Sequence, residues 1–270
     1  MSMKFLKYYL FLIYFHSTFL GAAFYQDTNG VLVGPIQDID GNAHPYSGPD
    51  LLPNVVLPSI DLTEAVLSDA DLQSSDLNQS ILSDVLLQEA NLSTSNFNGV
   101  DFWNINLFLS NSNNSYFYQA DFSLGELSFA DFSMSNLSGA DFWYAILWYT
   151  NFSNANLSGS EFWFADLWFA DLSNADLTNI DFWQTDLSNA NFQGANLSGS
   201  YLDLALNWNS ADFTNATYNN DTLFPTGFDP ETEGMIFDAF VPFPKAIYFF
   251  LAGLFVLALR KKGNQIKDRK

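Results

Sequence analysis

"ADLSNADLTNIDF", residues 170–182, decides how the rest of the chain is read. Leu172, Leu177 and Phe182 fall five apart, each directly preceded by Asp, with Ala170, Ala175 and Ile180 two places before them. A period of five fits neither the helical spacing of about 3.6 residues nor the alternation of a strand, so the repeat itself must set the backbone path. Stepping in fives from Leu57 to Leu202 gives 30 positions, of which 29 are Leu or Phe; only Ser112 breaks the series. Two places before each centre the residue is small or β-branched, as at Ala65, Ala70, Ser75, Ala90, Ala130, Ala140, Ala165 and Ala190. Asp or Asn often stands one place before.

A longer period lies over the first. Phe102, Phe122, Phe142, Phe162 and Phe182 are 20 residues apart, and Leu67, Leu87, Leu107, Leu127, Leu147, Leu167 and Leu187 form an unbroken Leu column. Like residues stacked this way pack as layers, and each coil covers the backbone of its neighbour. At ~4.8 Å between coils the rod is roughly 36 Å long. Each buried Leu or Phe contributes ~1.5–3 kcal/mol, so the core needs neither metal nor disulfide. Two irregularities stand out. Ser112 takes an inward position, read as a bulged coil or a water-bridged hydroxyl. After Leu202 the phase moves by one, with Trp208, Phe213, Tyr218 and Leu223 continuing the fives and a bulge expected near 203–207.

The pattern Ala-(Asp/Asn)-(Leu/Phe)-x-x, repeated in "ANFQGANLSGSYL" (190–202), resembles the pentapeptide-repeat family over about 170 residues. The resemblance implies an all-β fold: a right-handed quadrilateral β-helix, a solenoid with four pentapeptides per coil. The centre and the residue two before it would point inward, the other three outward. Residues 54–226 are assigned to this β-helix, 24–53 to a linker or N-terminal cap, and 227–240 to a C-terminal cap or linker. The segment 216–235 is similar to the end segment that closes many such arrays; open solenoid ends need such caps.

Both chain ends read as sorting devices. Residues 1–23 carry Lys4 and Lys7, then an apolar run, then Gly21 and Ala23, the layout of a signal peptide. Residues 241–270 carry Pro-x-Pro, about fourteen apolar residues from Ala246 to Leu259, and a basic stop at Arg260–Lys262. The positive-inside rule leaves that stop in the cytoplasm and the body outside. Val241, Pro242, Phe243 and Pro244 resemble the motif of PEP-CTERM/VPLPA tails, with Lys245 in place of the usual Ala. That resemblance implies an exosortase-type processing enzyme as partner; a plain transmembrane helix anchoring the chain is the other reading. Either places the body outside the cytoplasm of a bacterium, at the cell surface or in its matrix.

Residues 8–244 contain no Lys or Arg and hold 29 of the 30 acids. Nucleic acid and anionic membrane surfaces are therefore poor partners for this body. There is no Cys, and of two histidines only His44 lies outside the leader, so thiol and histidine chemistry are all but excluded. No catalytic motif appears and a convex rod offers no cleft, so the chain is read as no enzyme. "DIDG" at 38–41 lacks the later ligands of a calcium loop and reads as a Gly turn.

The outward positions are not uniform. Two of the four columns are polar after the centre. The other two carry Trp103, Phe108, Phe129, Trp143, Tyr144, Trp148, Tyr149, Trp163, Phe164, Trp168, Phe169 and Trp183, six of the seven Trp. Such rings are expected to form one patch around an edge of the rod, exceeding what a soluble monomer normally shows. Asp101, Asp121, Asp141, Glu161 and Asp181 recur beside them as a carboxylate ladder with no base to offset it. Weakly bound calcium is the cation oxygen ligands of this kind would take, and no other cofactor is expected; solvation alone is the other reading of the ladder. The expected function is a non-enzymatic structural or binding rod that uses this face for a polysaccharide or a surface protein, or for self-association. Two alternatives stay open. One is an acidic DNA mimic on a topoisomerase-like partner; the other is an anchored scaffold whose aromatic ladder is only structural.

Overall fold

The computed structural model describes residues 23–238, and these build a β-helix. Parallel bridges join each coil to the next at a spacing of 20 residues on every face, as in Asp121↔Asp141, Glu126↔Ile146, Asp131↔Asn151 and Asn136↔Asn156. Four faces follow one another along the chain. We number them by their buried centres: face I holds Phe142, face II Leu147, face III Phe152 and face IV Leu157.

One pentapeptide explains the repeat. Among residues 143–147 every N–H finds an acceptor. Tyr144 N–H donates to Trp163 O at 2.9 Å and Leu147 N–H to Asp166 O at 2.8 Å in the following coil, while Ile146 N–H donates to Gly125 O at 2.9 Å in the preceding one. Ala145 N–H closes a turn onto Phe142 O at 3.0 Å. Trp143 N–H has no main-chain acceptor, and the Asp141 carboxylate takes it at 2.9 Å. The motif follows. Leu or Phe fills the core, a small residue fits beside it, and Asp or Asn supplies the acceptor that the backbone lacks.

The core is a column of stacked side chains. Phe102, Phe122, Phe142, Phe162 and Phe182 lie with neighbouring ring centroids 5.0, 5.1, 4.6 and 5.6 Å apart. Small positions are buried with them; several of the Ser among these donate back to a carbonyl 23 residues earlier, as Ser95 to Leu72 O at 2.7 Å and Ser115 to Leu92 O at 2.8 Å.

Neither irregularity forms the expected bulge. Ser112 makes no bulge: Asn111 still pairs Asp131, and Ser112 N–H donates to Asp131 O at 2.7 Å. The residue is fully buried and its hydroxyl has no protein partner. The later insertion lies beyond 203–206, because Asp186↔Leu206 still keeps the 20-residue spacing while Asn191↔Asp212 has 21. The extra residue is absorbed by a 3-10 turn, Trp208–Ser210, entered through Asn207 at φ 55°. A second residue enters before Leu223, which pairs Tyr201 at a spacing of 22. Of the four expected centres Phe213 is buried, Trp208 and Tyr218 are half-buried against the core, and Leu223 is exposed.

The residues before the array form a packed cap. β1 (Tyr25–Gln26) pairs antiparallel with β2 (Leu32–Val33), and β3 (Gln37–Asp38) with β4 (Ala65–Val66) in the first coil. Phe24, Tyr25 and Ile36 are buried over the open end, and His44 bridges to Thr63 O at 2.8 Å. Ala23, the last residue of the expected leader, is buried too and its carbonyl accepts Ile36 N–H. At the other end β5 (Thr217–Tyr218) pairs in parallel with β6 (Ile236–Phe237), and Phe224 stacks on Phe228 at 4.7 Å. Among the described residues no helix is long and apolar enough to cross a membrane. The rest of the expected leader, the Val241–Pro244 motif and the apolar tail lie outside the described residues.

Candidate binding face

The rings of interest sit in turns. Trp143 and Tyr144 are the two central residues of the turn between faces I and II; Trp148 and Tyr149 occupy the turn between faces II and III. The aromatics therefore form two ridges at successive corners, with face II as the strip between them, rather than one patch around a single edge. Along the first ridge Tyr144 stacks on Phe164 at 4.6 Å, and Trp183 meets Phe164 and Trp163 edge to face at 4.8 and 5.5 Å. Along the second, Phe129, Tyr149 and Phe169 stack in parallel at 5.1 Å per step, Phe108 meets Phe129 at 5.7 Å, and Trp168 lies edge-on to Tyr149 and Trp148. The stacking covers the faces of the tyrosine and phenylalanine rings. The Trp side chains are exposed to a similar degree as the rings beside them: Trp143 is 47% and Trp148 41% exposed. Trp103, 43% exposed, stands apart, since Ser123 occupies the coil between it and Trp143. Phe108, Trp163 and Phe164 are only half-buried, and the Trp163 indole N–H is enclosed without a protein acceptor.

The second turn position is one that bulky side chains avoid. Phe129, Tyr144, Tyr149, Phe164 and Phe169 all have φ between 54° and 61°. On faces III and IV the equivalent places are held mainly by Asn and Gly, as at Asn154, Asn174, Gly139 and Gly159, the residues suited to this conformation. Leu109 and Leu124 extend the ridges at the same backbone angle and are about half exposed. The contrast between columns was open to inspection in the sequence. What it means was not, because the repeat alone does not reveal which outward position is left-handed.

The five ladder acids stand on face I, one per coil, through Asp101↔Asp121↔Asp141↔Glu161↔Asp181. Four accept the backbone N–H two residues on: Asp101 from Trp103 (3.0 Å), Asp121 from Ser123 (2.9 Å), Asp141 from Trp143 (2.9 Å) and Asp181 from Trp183 (3.0 Å). These aspartates thus cap turns as well as carrying charge. Burial, then the charge of Asp121, push the Asp141 carboxyl up from its ordinary range despite the Trp143 hydrogen bond. Burial, then Asp141 and Asp181 on either side, do the same for Glu161. On faces III and IV the equivalent acids are bridged by amides, Asn91 to Asp71 (3.1 Å), Asn151 to Asp131 (2.9 Å), Asn191 to Asp171 (3.0 Å) and Asn96 to Asp76 (3.0 Å). No amide interrupts the run from Asp101 to Asp181 on face I. On face II the strip between the ridges carries Asn106, Glu126, Ile146, Asp166 and Asp186. Among the described residues no group of three or more His, Asp or Glu side chains converges to hold a metal ion.

The Pentapeptide repeats family matches in eight copies over residues 54–84, 82–111, 135–167 and 169–205. No curated protein matches. Among solved structures, a pentapeptide repeat protein from Nostoc PCC 7120 is 34% identical over 44% of this chain and 84% of its own, with a TM-score of 0.21. One from the Arabidopsis thaliana thylakoid lumen is 33% identical over 38% of this chain and 67% of its own, with a TM-score of 0.33. HetL, a pentapeptide repeat protein involved in heterocyst differentiation regulation from Nostoc sp. strain PCC 7120, is 24% identical over 68% and 83%, with a TM-score of 0.38. The repeat of five, its buried centres and these sequence matches agree: the chain belongs to the pentapeptide-repeat family.

Proposed function

We propose that this chain is an exported, non-enzymatic binding rod whose two aromatic ridges, with face II between them, engage an extended polysaccharide outside the cell. One observation carries the reading. Bulky rings occupy left-handed turn positions on two successive corners only, and the Trp beside them stay more than a third exposed at Trp143, Trp148, Trp168 and Trp183. Flat apolar sugar faces stack on indole, and the Asp, Glu and Asn side chains alongside accept hydroxyl hydrogen bonds. The leader-like start and the exosortase-type or membrane-anchoring tail of the sequence support export and retention at the surface. The second reading, an acidic rod that occupies a basic DNA-binding surface of a topoisomerase-like partner, is favoured by the net charge of −21. Against it, exposed indoles imitate phosphates poorly.

Retention of the full chain on insoluble cellulose or chitin tests the reading. Wild type is retained and the Trp143→Ala/Trp148→Ala variant passes through; equal behaviour of the two contradicts it. Fractionation of the producing cell tests export, and an uncleaved cytosolic protein contradicts that part.

A further inference from the structure

We propose that the glycan seated on this face is an amino-sugar polymer, an extended chain bearing positively charged amines that lies along the first ridge with the face I acids on one flank and the face II acids on the other; this rests on the glycan reading above. Charge complementarity and axial spacing both favour such a chain. Residues 23–238 contain no Lys or Arg, so no Lys or Arg of the described body offsets the negative charge at this face, and a cationic ligand meets no competing internal partner. Faces III and IV bridge several of their acids internally with Asn, as at Asp131, Asp171 and Asp76, whereas face I leaves Asp101, Asp121, Asp141, Glu161 and Asp181 in an unbroken row beside the first ridge. Face II adds Glu126, Asp166 and Asp186 between the ridges. Adjacent carboxylates in such a row repel, and a partner carrying one cation per rung relieves the repulsion at several rungs together. Ring-to-ring steps along the ridges are 4.6–5.8 Å, close to the advance per sugar in an extended β-1,4 chain, so successive sugars meet successive coils in register. Glycans rich in uronic acid or sulfate are repelled by the same row. A second copy of this chain brings the same negative charge and is repelled likewise.

The full chain is titrated with a β-1,4-linked glucosamine oligomer and with a glucose oligomer of the same linkage and length. At low salt the glucosamine oligomer binds about tenfold more tightly, the sum of several individually weak exposed ion pairs. That advantage disappears in ~1 M salt and in the Asp141→Asn/Glu161→Gln/Asp181→Asn variant, whose Asn side chains keep the turn-capping oxygen. The Trp143→Ala variant loses affinity for both oligomers. Equal affinity for the two oligomers, or an advantage that survives the triple variant, overturns the amine proposal and leaves the glycan reading standing. Glucosamine binding that ignores Trp143 would mean attraction by charge alone and also overturns it. Binding of neither oligomer overturns both.

Discussion

Tyr149 holds φ at 55°, a conformation that costs a bulky L-residue ~1–2 kcal/mol. Its parallel stack on Phe129 and Phe169 returns ~0.5–1.5 kcal/mol per pair, so the two effects nearly cancel. Leu124 has the same backbone strain at φ 61° and no ring of its own to stack. Two substitutions separate the terms. Leu124→Asn is expected to raise stability by about 1 kcal/mol, because Asn tolerates this conformation. Tyr149→Asn is expected to change it by less than about 1 kcal/mol, since strain relief offsets lost stacking. Denaturant melts of both check this, and a large loss at Tyr149 would show that stacking dominates. Ser112 gives a third case. Its buried hydroxyl lacks a protein partner, so Ser112→Ala is expected to stabilise by about 1 kcal/mol; a loss of stability would show that the hydroxyl is satisfied.

The pentapeptide is the element, and its sequence logic is nearly complete. Centres, small positions and the polar residue before each centre were legible because each repeats without regard to its neighbours. The role of that polar residue was not, since a solvated Asp and an Asp that caps a turn look alike in sequence. The distinction is testable at Asp121, whose carboxylate takes Ser123 N–H at 2.9 Å. Asp121→Ala should cost about 1 kcal/mol while Asp121→Asn should cost little, because Asn keeps the acceptor. Equal losses would return the carboxylate to a purely electrostatic role. The two late insertions were also only half legible. A change of phase announces an extra residue, but whether a bulge or a 3-10 turn absorbs it depends on which local conformation Asn207 and Trp208 adopt. The N-terminal cap gave little signal, because its strands are two residues long and pair with distant partners such as Leu51 and Val66.

For the whole molecule, the charge distribution predicts an unusual response to acid. Asp141 and Glu161 are raised above ordinary values of 3.8 and 4.5, so in that window the folded form binds more protons than the unfolded chain. Stability therefore rises as pH falls through their raised range toward those values. Asp61 and Asp212 are held low by hydrogen bonds from Thr63 and Thr214; their contribution is lost only as pH falls below the ordinary aspartate value. Melting temperature should thus climb from neutral pH into the weakly acidic range and then fall, and Asp141→Asn/Glu161→Gln should flatten the climb. A monotonic fall from pH 7 would contradict this assignment. The central claim remains that the ridges bind a partner rather than only themselves. Its most direct measurement is a calorimetric titration of the full chain with a soluble β-1,4-linked oligosaccharide, run beside the Trp143→Ala/Trp148→Ala variant with melting curves for both. The account predicts saturable binding to wild type, loss of binding in the variant and nearly unchanged melting. No binding to either, with a sharply lowered melting temperature in the variant, would contradict it and make the ladder a purely structural device.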